Sequence, residues 1–94
     1  MSIDARIASV MIHRDHIWLR LRPLQASDGS TSIAGTNTLI IDPPYSRVPK
    51  AGQQIWGNAG ACIVEAGFGS ERIEYARDGH TLKEKHAEGS QNGA

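Results

Sequence analysis

Residues 5–24, ARIASVMIHRDHIWLRLRPL, decide the architecture. Folded back about Arg14 and Asp15, the two halves present matching faces. With Ile12 opposite Ile17, Val10 meets Leu19 and Ala8 meets Leu21, so one face is wholly apolar. The other face is mixed: Met11 meets Trp18, Ser9 meets Arg20 and Ile7 meets Arg22, with His13 and His16 beside the turn. Side chains alternate with period two, so a slip of one residue would expose the whole aliphatic row, and burial selects this register. The expectation is an antiparallel hairpin with Ala8, Val10, Ile12, Ile17, Leu19 and Leu21 inward and Trp18 outward.

Downstream, QASDGSTSIAGT (25–36) is small, polar and glycine-bearing, and predicts a mobile loop. TNTLIID (36–42) places Leu39 and Ile41 on one strand face and Ile40 on the other, until Pro43 and Pro44 remove the ladder donors. PPYSRVPKAG (43–52) reads as an irregular connection. QQIW and ACIVEA predict a second hairpin turning at 57–60, and GFGS (67–70) a further turn. RIEYAR alternates Ile73 and Tyr75 against Arg72 and Glu74 before Asp78 and Gly79, and Thr81 with Leu82 offers one more short pairing. Apolar residues at helical spacing never persist over three turns, so helix is expected to be scarce. The polar stretch 83–94 reads as a disordered tail behind a single domain of residues 1–82.

Ninety-four residues suffice for one domain, since domains typically hold about 100 to 150. A chain of this length buries roughly 60 to 65% of its unfolded surface. The core must therefore draw on most of the aliphatic strand residues, and any of the five aromatics (Trp18, Tyr45, Trp56, Phe68, Tyr75) left outside calls for a reason. Ten basic side chains balance ten acidic ones, which argues against the broad positive field of a non-specific nucleic-acid binder. Cys62 has no second cysteine to pair with, which fits a reducing, cytoplasmic setting. Asp4 and Arg6 interrupt what would have to be an apolar signal core, and no apolar run approaches the roughly 18 residues of a membrane span. A soluble chain without membrane partners is expected.

About five to six short antiparallel strands joined by Gly-rich and Pro-rich turns predict an all-β, single-domain small barrel, OB-like or SH3-like, because closure hides edges that a thin flat sheet would expose. Pro49-Lys50-Ala51-Gly52-Gln53-Gln54-Ile55-Trp56-Gly57 has a P-x-x-G-x-x-I-x-G pattern that opens a strand. Together with Tyr75-Ala76-Arg77-Asp78-Gly79-His80-Thr81, it resembles the short β-barrel proteins encoded in phages and prophage regions. The resemblance spans the second half of the chain and implies a barrel of mobile-element origin. It implies no catalytic residues.

Trp18, Arg20 and Arg22 on one side of a strand, with Met11 across from Trp18, form a candidate binding face: an indole flanked by guanidinium groups. Trp, Met and Arg are enriched at the centres of protein interfaces, so a protein partner or a second copy of the chain is the first reading. Barrels also stack single-stranded nucleic acid on such surfaces, which is the alternative. The bland reading covers Trp18 with the long loop or the last strand and pairs the arginines with Glu71 or Glu74.

His13, Asp15 and His16 could contribute to a metal site only with a third or fourth ligand, such as His80 or His86, that nothing places nearby. Cys62, between Ala61 and Ile63, reads as inert core. GFGS and GNAG do not join a strand to a helix as a phosphate loop must, and Asp42-Pro43-Pro44-Tyr45 lacks P-x-x-P spacing. No nucleophile, base and charge stabiliser are grouped. The expectation is a non-enzymatic binding or assembly module without cofactor, metal or small-molecule substrate.

Overall fold

The computed structural model describes residues 5–23, 37–57 and 62–85, and these form an all-β closed barrel. The strands are β1 (Ala5–His13), β2 (His16–Pro23), β3 (Thr38–Asp42), β4 (Gln54–Trp56), β5 (Ile63–Phe68), β6 (Glu71–Asp78) and β7 (Thr81–Glu84). Their order is β1-β2-β3-β7-β6-β5-β4, with β4 returning to β1. A closed ring of seven strands cannot alternate direction all the way round, and β3 and β7 are the parallel pair. Parallel neighbours need a long crossover; the β4–β5–β6 meander supplies it.

The sequence predicts five to six strands, all antiparallel; the barrel has seven, and one pair is parallel. The seventh, β7, runs past Thr81 and Leu82 through Lys83 and Glu84, two residues that the polar composition assigns to the tail. Good helix formers here are overridden by pairing on both sides, with Leu82 facing Ile41 on β3 and Arg77 on β6 and buried between them. No described residue is helical, and no helix is long and apolar enough to cross a membrane. The expected loop 25–36, most of the turn at 57–60 and the tail beyond Lys85 lie outside the described residues.

The first hairpin turns where expected. Arg14 (φ 53°) and Asp15 (φ 68°) both occupy the left-handed region, as a two-residue turn of type I′ demands so that its twist matches that of the strands. From the turn the register runs Ile12↔Ile17, Met11↔Trp18, Val10↔Leu19 and Ser9↔Arg20, as the sequence predicts. Then it shifts. A β-bulge at Ala8 leaves that residue without a partner, and pairing resumes as Ile7↔Leu21, Arg6↔Arg22 and Ala5↔Pro23. The expected pairs Ala8↔Leu21 and Ile7↔Arg22 do not form.

The physical reason is burial. An extra residue reverses the phase of everything before it, so Ile7 (1% exposed) and Ala5 enter the core in place of Ala8. Ile12 is also corrected. It is 54% exposed, because β4 pairs with β1 only at Ala5 and Arg6 and the hairpin tip extends past the barrel rim. Val10 packs against the core from the edge. Ile17, Leu19 and Leu21 face inward as expected and join Leu39, Ile41, Ile55, Val64, Ala66, Tyr75 and Leu82.

Closure is completed by backbone. Gly52, at φ +95°, donates its N–H to Ile7 O at 2.7 Å, and Ile7 N–H donates to Gln53 O at 2.9 Å. Gln53 ties this seam inward: its Nε2 donates to Gly67 O at 3.0 Å, and its Oε1 accepts from Lys50 N–H at 2.6 Å. Strand β3 stops at Asp42 before the cis Pro43-Pro44 bond, and Ser46 anchors the following connection to β7 through two hydrogen bonds to Glu84, of 2.6 and 2.5 Å.

Cys62 is exposed, contrary to its reading as core. It precedes β5, whose inward residues are Val64 and Ala66, and its carbonyl accepts from Arg77 N–H at 2.8 Å beyond the end of the strand. Tyr75 is fully buried, and its hydroxyl has no hydrogen-bond partner among the described residues. Burial, and secondarily the Glu84 carboxylate, hold this phenol well above its usual ionisation range.

The bulge separates two isoleucines that a straight hairpin would rank the other way. Ile7→Ala should lower unfolding free energy by about 2 to 5 kcal/mol, as at other buried sites, whereas Ile12→Ala should change it by no more than about 0.5 kcal/mol; urea unfolding measures both. Tyr75 makes the fold sensitive to alkali. An unfolded phenol ionises near about pH 10 while the folded one resists, so Tyr75 leaves stability intact below that pH and erodes it as pH rises further. Tyr75→Phe should hold or raise stability at pH 7 and flatten the loss above about pH 10; thermal melts from pH 7 to 11.5 read this directly.

Candidate functional site: the outer face of the first hairpin and its arginines

Strand pleating places Met11, Trp18, Arg20 and Arg22 on the outside of the barrel, and register brings them together. Met11 stands directly opposite Trp18, and Trp18 is flanked on its other side by Ile40 of β3, which pairs in turn with Thr81 of β7. Arg20 lies between Ser9 and Thr38, and Arg22 opposite Arg6. Met11 is 58% and Trp18 38% exposed. The carboxylates that might have neutralised the arginines are engaged elsewhere: Glu71 with Arg47, and Glu74 with Lys85 at 4.0 Å. Arg20 and Arg22 have no ion-pair partner among the described residues.

Two further groups extend this surface, and sequence reading misses both. Arg6 lies opposite Arg22 only because of the bulge, and its Nη1 donates to Gly52 O at 2.9 Å. Trp56, on β4, packs edge-on against Gly67 of β5, with the Arg72 guanidinium 4.4 Å from its ring centroid. Arg72 also lies 3.5 Å from Glu65, the residue paired with Trp56. A signal for Arg6 was present: the apolar series Ala5, Ile7, Val10, Ile12 skips a beat between 7 and 10, which marks an inserted residue. Gly67 had no comparable signal, because its role depends on a neighbouring strand.

Toward the turn on this same outer face, His16 faces Asp42 at 3.2 Å through Nε2, and its Nδ1 lies 2.8 Å from Arg14 O. A protonated imidazole donates to both oxygens. This pair lines a cleft of about 340 Å³ with Pro43, Pro44, Lys83 and Glu84. His13 pairs across the turn with His16 and is exposed, and His80 lies in the β6–β7 turn. Among the described residues no three His, Cys, Asp or Glu side chains come together as metal ligands. Phe68 is covered by Arg47, 5.7 Å from its ring centroid. Exposed Trp18 and half-buried Trp56, with Arg22 and Arg6 on the strands between them, are thus the chemically distinctive part of the described surface.

No protein-family model, curated protein or solved structure matches the chain.

The Trp56 stack depends on the missing side chain at residue 67. A Cβ there would stand 2.9 Å from Cη2 and 3.0 Å from Cζ3 of Trp56, closer than packed atoms tolerate. Gly67→Ala in a Trp18→Phe background should displace the indole, red-shift its fluorescence and cost about 1 to 3 kcal/mol in stability. Unchanged emission would mean that the ring does not rest on Gly67.

Proposed function

We propose that this barrel is a non-enzymatic binding or assembly module whose working surface is the outer face bearing Met11, Trp18, Arg20 and Arg22. A single observation carries the reading: an indole stands exposed beside Met11, next to two arginines without carboxylate partners among the described residues. The core is filled by aliphatics and Tyr75, so no vacancy there calls for Trp18, which stays 38% exposed. Trp, Met and Arg together are the residues that concentrate binding energy at the centre of protein interfaces. The first reading is therefore a protein partner, including a second copy of the chain in a symmetric pair. The lone thiol supports a reducing cytoplasm as its setting. Closed strand order and the turn motifs of the second half support a barrel of OB or SH3-like type, of the kind encoded in phages and prophage regions.

A second reading, single-stranded nucleic acid on the same face, is favoured by one specific feature. The arginines continue from Arg20 and Arg22 across the hairpin to Arg6, so local positive charge persists although the chain is neutral overall. The two readings differ in salt response, since counterion release makes phosphate-backbone affinity fall steeply with salt while an aromatic protein interface changes little.

Light scattering across a concentration series tests the first reading. Self-association of the wild type should weaken at least tenfold in Trp18→Ala, in keeping with the about 2 kcal/mol or more that an interface anchor contributes. A wild type monomeric at every concentration, with no protein captured through Trp18, would remove the assembly reading.

A further inference from the structure

We infer that Arg6 and Arg22 form a binding site for a phosphate group, the phosphate being that of a single-stranded nucleic acid laid across the barrel from β2 to β4. The inference deepens the second reading above and does not depend on Trp18 anchoring a protein partner.

The argument starts from a cost. Arg6 and Arg22 are direct cross-strand partners on the outer face, and like charges placed opposite one another in a ladder destabilise it. The bulge at Ala8 imposes the placement, since sending Ile7 inward turns Arg6 outward against Arg22. A dianion or monoanion between the two guanidiniums converts that repulsion into two charge-assisted attractions.

The site is built. Arg6 is held by its Nη1 hydrogen bond to Gly52 O, 2.9 Å long, which leaves its other N–H groups to donate. Arg6, Ile7, Ala8, Arg22 and Gly52 line a cleft of about 180 Å³. Arg6 and Gly52 are shared with a second cleft of about 340 Å³, which continues over Gln53 and Gln54 to Trp56, Gly67 and Gly69. Among the described residues, neither cleft is lined by a carboxylate, although acidic and basic residues are equal in number in the chain. The described lining thus offers cationic and amide donors.

Length identifies the source of the phosphate. Free phosphate would occupy only the space between Arg6 and Arg22. The adjoining cleft instead takes in Gln54, the cross-strand partner of Arg6, and the Trp56 indole. Cationic donors in one cleft and an aromatic ring in the cleft that shares Arg6 suit a chain of phosphates bearing planar bases. A purely acidic peptide such as polyglutamate would meet the arginines but carries no planar group to stack on the ring.

Fluorescence anisotropy with a labelled twelve-residue oligothymidylate at low salt tests the proposal. The wild type should bind, and Arg6→Gln and Arg22→Gln should each weaken binding several-fold and lower the slope of log K against log salt by about 0.7, the increment for one single-strand phosphate contact. Arg6→Lys should recover the salt slope but only part of the affinity, because the ammonium lacks the fork that Gly52 orients. Lys83→Gln, on β7 and outside both clefts, should bind as the wild type does. Thermal melts confirm that each variant is folded.

Three results would overturn the proposal: no oligonucleotide binding in 20 mM salt, equal weakening by Lys83→Gln, or a polyglutamate peptide of the same charge binding as tightly through Arg6 and Arg22. Inorganic phosphate competing at the concentration of oligonucleotide phosphate would overturn the nucleic-acid source. Arg6→Gln and Trp18→Ala keep the two ideas apart: oligonucleotide binding weakened by Arg6→Gln but retained in Trp18→Ala leaves this site standing, whereas binding lost in Trp18→Ala and unchanged in Arg6→Gln removes this site and leaves the second reading.

Discussion

One inserted residue on the first strand governs the rest of the barrel. Ala8 is unpaired, and the chain before it is out of phase with the chain after it. The consequence on the inside is that Ile7 and Ala5 complete the core. The consequence on the outside is that Arg6 comes to lie opposite Arg22. Between them, Ile7 is positioned to exchange hydrogen bonds with Gly52 and Gln53, the contacts that bring the last gap in the ring together. A straight strand would leave Ile7 in solvent and Ala8, with a single methyl group, in the space an isoleucine now fills.

The same constraint separates the hairpin into two regions with different physics. Its base, residues 5–7 and 17–21, buries Ala5, Ile7, Ile17, Leu19 and Leu21 within the ring and pairs with strands on both sides. Its tip, with Met11, Ile12 and the left-handed pair Arg14 and Asp15, extends beyond the rim and packs against little. Apolar side chains are therefore exposed at the tip for a topological reason: β4 is three residues long and reaches only Ala5 and Arg6. Trp18 lies at the boundary, paired with Met11 on one side and Ile40 on the other, so it is oriented by its neighbours without being enclosed by them. An aromatic ring fixed in place yet accessible loses little conformational freedom on binding, which is the condition for an effective anchor.

Charge is distributed by the same geometry. A neutral composition suggested no strong field, but neutrality is a sum, and the barrel brings three arginines together locally. Glu71, Glu74 and Glu84 are occupied by Arg47, Lys85 and Ser46 on the side of β6 and β7, while Arg20, Arg22 and Arg6 occupy the side of β1 and β2. Arg72 belongs to both, lying near Glu65 and over Trp56. The functional proposals rest on the gathering of these arginines, which exists only after the strands are ordered around the ring.

The one-dimensional chain determined a great deal, because period-two alternation is a local property. The hairpin turn at Arg14 and Asp15, the inward set Ile17, Leu19 and Leu21, the inward set Leu39 and Ile41, the stop at Pro43, and the outward Trp18, Arg20 and Arg22 all follow from alternation and turn chemistry within a few residues. Tertiary structure decided what depends on a partner strand. Ile12 alternates correctly but has nothing above it. Cys62 sits among apolar neighbours but beyond the end of its strand. Lys83 and Glu84 look like tail until β3 and β6 pair with them. The meeting of Trp56 with Gly67 and Arg72 rests on the pairing of β4, β5 and β6, and that of Arg6 with Arg22 on a bulge whose only trace in the sequence is a missed beat between Ile7 and Val10.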